Sequence, residues 1–245
     1  MATSISAFFR CSDGTFISLV NNSVTENTVT EIQTGGTGLN QVDSVALGQA
    51  YVGKSLTHGI VKVSTEDAAS GIYLYGYVQT PQGSIGVVAQ GAGGDVSRLP
   101  ALPKPHRLVQ GDTFQARFDA GADGNSQMAA LSVYCTDGTC EVLFAQMAND
   151  TKTAMLNKDG NTIGQALAGK TIAAAFATSS TVFDINESQA GVGGYYIESA
   201  DGMLKAVYPP ITGNAGSSYQ DFPRYQAYPV MITQNDTLSV MGSHS

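Results

Sequence analysis

The motif Cys-x-Asp-Gly-Thr occurs twice, at Cys11-Ser12-Asp13-Gly14-Thr15 and again 124 residues later at Cys135-Thr136-Asp137-Gly138-Thr139. Apolar, β-prone runs flank each copy: Ile5, Ala7, Phe9 then Ile17, Leu19; and Leu131, Val133 then Val142, Leu143, Phe144. Asp-Gly between two such runs is a hairpin signal, because a two-residue type I′ turn needs positive φ at both central positions. That turn predicts that Cys135 faces Cys140 in a non-hydrogen-bonded pair, close enough for either a cross-strand disulfide or two reduced neighbours. In the first copy Cys11 would face Phe16, so no bridge could form there.

Three further landmarks recur in the same order. Gly48–Leu56 matches Gly164–Ile172 at an offset of 116, Gly71–Leu74 matches Gly194–Ile197 at 123, and Gly111–Phe114 matches Asn235–Leu238 at 124. Ordered repetition at near-constant spacing predicts an internal duplication, with modules at 1–122 and 123–245. The dip to 116 places extra residues of the first half in Thr34–Leu39. The second half is expected to regain most of them in a Gly-rich loop, Gln189–Gly193. Strand-length apolar runs alternate with turn signals throughout, including Ile5–Arg10, Phe16–Val20, Ser44–Leu47, Leu56–Ser64, Ile72–Val78, Ile85–Ala89, Arg107–Val109 and Phe114–Phe118. Eight or nine short strands in about 120 residues predict an all-β chain of two tandem, sequence-related β-sandwich (jelly-roll-like) modules.

Charged residues are only 13% of the chain and the net charge is −8. The nearest approach to a basic run is Lys104-Pro105-His106-Arg107, which argues against direct binding to nucleic acid. No apolar run reaches transmembrane length, and Met1–Ser6 lacks the pattern of a cleaved signal peptide. Sparse charge suits a surface that packs closely against copies of itself.

Two segments imitate a phosphate loop: Gly48–Ser55 reads G-x-x-x-x-G-K-S and Gly164–Thr171 reads G-x-x-x-x-G-K-T. A phosphate loop needs a helix N-terminus after the Lys, whereas Leu56-Thr57-His58-Gly59-Ile60-Val61 reads as strand. Both are therefore expected to be turns carrying exposed Lys54 and Lys170. His58, His106 and His244 have no ligand spacing, no G-x-S-x-G is present, and Asp13, Asp137, Asp159 and Asp201 sit in turn contexts. The expectation is no enzyme, no metal and no cofactor. Tyr73, Tyr75 and Tyr77 share one face of a strand. They read as a candidate contact face: a subunit contact, a sugar-stacking platform, or a half-exposed sheet.

In size and texture the chain resembles the single- and double-jelly-roll coat proteins of bacterial and archaeal viruses. That resemblance implies a virion structural protein, a capsid or capsid-decorating subunit. Its partners would be further copies of itself, as a trimer or higher assembly, and other virion proteins, and its location the virion. The alternative is a carbohydrate- or receptor-binding, adhesin-like module or a phage tail component.

Overall fold

The computed structural model describes residues 4–26, 28–33, 45–64, 73–90, 99–119, 127–147, 151–177, 191–213 and 224–243. They are all-β apart from two short helical turns. The first half runs β1 Ser4–Cys11, β2 Phe16–Asn21, β3 Thr30–Glu31, α1 Leu47–Ala50, β4 Ser55–Ser64, β5 Tyr73–Thr80, β6 Gly83–Gln90, β7 Ala101–Arg107 and β8 Thr113–Asp119. The second runs β9 Gln127–Cys135, β10 Cys140–Met147, β11 Thr153–Ala154, α2 Ile163–Leu167, β12 Thr171–Ala177, β13 Gly191–Glu198, β14 Leu204–Gly213, β15 Arg224–Met231 and β16 Thr237–Ser243.

Strand pairing repeats between the halves. In the first, antiparallel ladders run β2-β1-β4-β7 and β3-β8-β5-β6. In the second they run β10-β9-β12-β15 and β11-β16-β13-β14. Even the irregularities recur. A β-bulge skips Thr57 between Leu56 and His58, and another skips Ala173 between Ile172 and Ala174. Alternation sends Ile5, Ala7 and Phe9 of β1 into one core with Leu74, Val78 and Phe114. Ala129, Leu131 and Val133 of β9 enter a second core with Ile172, Tyr195 and Leu238. The halves meet where β6 pairs in parallel with β10 at Gly83 and Cys140.

Several expectations need correction. The Asp-Gly turn is a three-residue loop, not a two-residue one. Cys135 N–H donates to Thr139 O at 2.8 Å and Gly138 N–H to Cys135 O at 3.0 Å, with Gly138 at φ 88°. The cause is the Asp side chain: Asp137 Oδ1 accepts from Thr139 N–H at 3.0 Å, favouring a type I turn closed by a left-handed glycine. The register therefore slips by one, Cys140 lies opposite Tyr134, and Arg10, not Cys11, lies opposite Phe16. A one-residue slip exchanges faces. Cys135 points into the second core and Cys140 into the first, both as buried free thiols, so the cross-strand bridge has no facing pair to form on.

The third landmark is also misaligned. Phe114 of β8 and Leu238 of β16 are equivalent, and their partners are Val78 and Ile197. Tyr77 therefore corresponds to Tyr196 and Tyr75 to Gly194. Gly191–Gly193, expected in a loop, begin strand β13. The length is regained in steps, one of them the hairpin tip: Thr80 pairs directly with Gly83, whereas Ser199 closes on Met203 around three residues. Ala101–Arg107 is a strand despite Pro103 and Pro105, because among the described residues β7 pairs only with β4 and an edge strand tolerates missing N–H donors. Finally, Leu47 opens helix α1 instead of ending a strand; Ser44 and the Thr34–Leu39 insertion lie outside the described residues.

Candidate functional site

The lysines of the two phosphate-loop look-alikes close onto the two hairpins. Lys54 Nζ donates to Asp13 Oδ2 and lies 3.2 Å from Thr15 Oγ1, and Lys170 Nζ donates to Asp137 Oδ2 at 2.5 Å. The backbone beneath is shared as well. Ser12 N–H donates to Ser55 O at 2.8 Å, and Thr136 N–H to Thr171 O at 2.9 Å. Gly53 (φ 84°) and Gly169 (φ 77°) turn the chain just before each Lys, and a strand follows it. The helical turn precedes the Gly-Lys pair, so no helix N-terminus faces a phosphate there. Hydrogen bonds from Lys170 and the Thr139 N–H hold the Asp137 carboxyl down at about 2, and Lys54 depresses Asp13 in the same way. Each look-alike is a clamp on its hairpin.

A second repeated device is a buried aspartate that the sequence reading left unused. Asp112 is fully buried, with Val109 N–H donating to Oδ2 at 2.9 Å and His106 Nε2 at 2.6 Å from the same oxygen. Asp236 is also fully buried. Its Oδ2 accepts from Thr233 N–H at 2.8 Å and Lys205 Nζ at 2.5 Å, and its Oδ1 accepts from the Thr233 hydroxyl at 2.7 Å. Burial pushes the Asp236 carboxyl up, but the donors from Lys205 and Thr233 outweigh it and the net shift is downward. Gly48 and Gly164 pack on these turns: their N–H groups donate to Asp112 O (2.8 Å) and Asp236 O (3.1 Å), and a Cβ would meet Val109 O at 2.0 Å or Gln234 O at 2.5 Å. The opening Gly of each G-x-x-x-x-G-K is therefore a close-approach residue. The recurring Asp-Thr of the fourth landmark was the available signal for both aspartates. The side chain that meets each carboxylate was not legible, because it is His106 of β7 in one half and Lys205 of β14 in the other.

The tyrosine face is the third place of interest. Tyr75 and Tyr77 are stacked, with ring centroids 6.3 Å apart, and both are buried. Phe144 of β10 stacks on Tyr75 at 4.8 Å, and Ala130 and Val142 complete this small core between the halves. Tyr77 hydroxyl donates to Gln115 at 2.7 Å. Burial pushes the Tyr75 phenol up to about 12. The backbone of Tyr73 belongs to β5, while its side chain lies outside the described residues. Around the pair, Ser84 hydroxyl donates to Glu141 at 2.5 Å and accepts from Val142 N–H at 3.0 Å, and Gly86 N–H donates to Ser132 Oγ at 3.2 Å. Tyr75 and Tyr77 thus line a contact within the chain and offer no open stacking platform.

No family model, curated protein or solved structure matches the chain. Among the described residues no group of three or more His, Cys, Asp or Glu side chains could hold a metal ion. Burial raises the thiols of Cys140 to about 12 and Cys135 to about 11, which disfavours the reactive thiolate. The repeated polar devices all tie one backbone segment to another, and Tyr75, Tyr77, Ala130, Val142 and Phe144 form a small apolar joint between the halves.

Proposed function

We propose that the chain is a self-assembling virion structural protein, a capsid or capsid-decorating subunit, built from two tandem β-sandwich modules. The observation that carries this reading is the repetition of one framework. Hairpin, Lys–Asp clamp, bulge, buried aspartate and close-approach glycine recur in the same order in both halves. The ladders β2-β1-β4-β7 and β3-β8-β5-β6 have the strand order of a jelly roll whose last strand has been moved to the front. The sequence features that imitate chemistry serve as fasteners, which is what a packing module needs and a catalyst does not. Two similar modules per chain let a trimer present six similar corners, a tile suited to a closed shell. Its partners would be further copies and other virion proteins. Light scattering and electron microscopy of the purified chain test this. Large closed or tubular homo-oligomers are expected, and a stable monomer that binds glycans would refute the proposal.

A further inference from the structure

The joint between the halves uses one surface from each, and each half also has the surface that its counterpart uses. From the first half come the outward residues of β5 and β6: Tyr75, Tyr77, Gly83, Ser84 and Gly86. From the second come those of β9 and β10: Ala130, Ser132, Cys140, Val142 and Phe144. Register assigns the equivalents. In the second half, Gly194, Tyr196, Met203, Leu204 and Val207 stand where the first set stands. In the first half, Ser6, Phe8, Phe16, Ser18 and Val20 stand where the second set stands.

The large apolar residues at the rims of both unused surfaces are exposed, while Ser6, Ser18, Val20 and Tyr196 are half-buried and Gly194 is buried. Met203 is 67% exposed, Leu204 54% and Val207 48%. Phe16 is 68% exposed and Phe8 37%. The inward residues of the same strands, such as Phe9, Leu19 and Tyr208, are buried. Edges match faces. β6 and β10 pair with each other, whereas among the described residues β14 pairs only with β13 and β2 only with β1. An apolar, unpaired edge is a docking template. Pro209 and Pro210 interrupt its donors only beyond Tyr208, where the equivalent part of β6 pairs with β4, and leave open the end equivalent to Gly83, where β6 pairs with β10.

We infer that the β13–β14 surface of one copy docks on the β1–β2 surface of a second copy, head to tail, repeating the joint already present inside the chain. This rests on the self-assembling reading above and gives it its contact. The outer joint redistributes volume. Inside the chain, bulk comes from Tyr75 and Tyr77, and β6 is small; at Gly83 a Cβ would meet Cys140 O at 1.9 Å. In the outer joint Gly194 replaces Tyr75, and Met203, just before β14, supplies the bulk together with Leu204 and Val207 of β14, so the strands stand further apart with Met203 against Phe16 and Val207 against Phe8. Such a contact is heterologous and builds rings or filaments, unlike a two-fold contact of β14 with itself.

Charge reversal tests it. Phe16→Glu and Met203→Lys, made separately, each bury an unpaired charge in the joint and are expected to weaken self-association roughly a hundredfold or more. Light scattering would then read the monomer mass of 25.4 kDa at concentrations where the wild type is assembled. The double variant Phe16→Glu/Met203→Lys brings opposite charges together across the joint and is expected to reassemble, now sensitive to salt. Both positions are highly exposed, and melting curves check that folding is retained. Phe8→Glu with Val207→Lys provides an independent second pair. Wild-type assembly that survives either single variant, or a double variant that stays monomeric in both pairs, overturns the joint and leaves the self-assembling reading standing. A wild type that never assembles removes both.

Discussion

Asp137 and Lys170 show at the residue scale how a motif can look like chemistry and serve architecture. Their ion pair is half exposed, so its value lies in holding the turn while the Asp side chain also accepts from Thr139 N–H. A carboxyl depressed to about 2 makes stability depend on acid in a fixed sense. Folding favours the charged form, so the contribution is fully present above the ordinary Asp range near pH 4 and is lost as pH falls through about 2. Urea unfolding between pH 5 and 2 should therefore show stability falling with acid, and Lys170→Met should flatten that fall. An unchanged pH slope in the variant would mean that the turn, not the lysine, sets the carboxyl.

At the scale of elements, the short helical turns α1 and α2 owe their position to what lies above them. α2 is capped by Thr162, whose side chain accepts from Gln165 N–H while Gln165 reaches back to Thr162 N–H. α1 has no side-chain cap, and its register is fixed by Gly48 pressed against the Asp112 turn. Gly48→Ala should destabilise by overpacking, by about 1–3 kcal/mol, and Gly164→Ala should do the same, read as a lower urea midpoint at unchanged slope. Substitution at Gly111, where a Cβ meets open space, should have little effect by comparison. These elements also mark the limit of legibility. Strands with alternating Ile, Leu, Val and Phe were readable because period-two burial writes itself into sequence. Edge strand β7 was not, since prolines that argue against a strand are tolerated on an edge. The turn type was not either, because Asp-Gly fits both a two-residue and a three-residue loop and the Asx hydrogen bond decides between them.

On the scale of the whole molecule, the question is whether the two halves behave as one folding unit. The joint answers through Tyr75, which is fully buried, stacked between Tyr77 and Phe144, and shared by no repeat equivalent, since Gly194 occupies its place. The alternation of Tyr73, Tyr75 and Tyr77 left a subunit contact, a sugar platform and a half-exposed sheet open in the sequence, and the fold places Tyr75 and Tyr77 against the chain's own second half. Removing an aromatic side chain from such a place costs about 3–5 kcal/mol. The loss falls on the coupling between halves, because Leu74 and Val78, which serve the first core, stay in place on the opposite face of β5. Tyr75→Ala should therefore split a single calorimetric transition into two, one for each half, as the shared apolar surface opens. If the variant instead melts in one transition at a lower temperature, cooperativity runs through the β4–β6–β10 strand pairing and not through the aromatic stack. The two outcomes separate a molecule fastened by side chains from one fastened by backbone, and the same distinction governs how firmly a second copy could be held at β14.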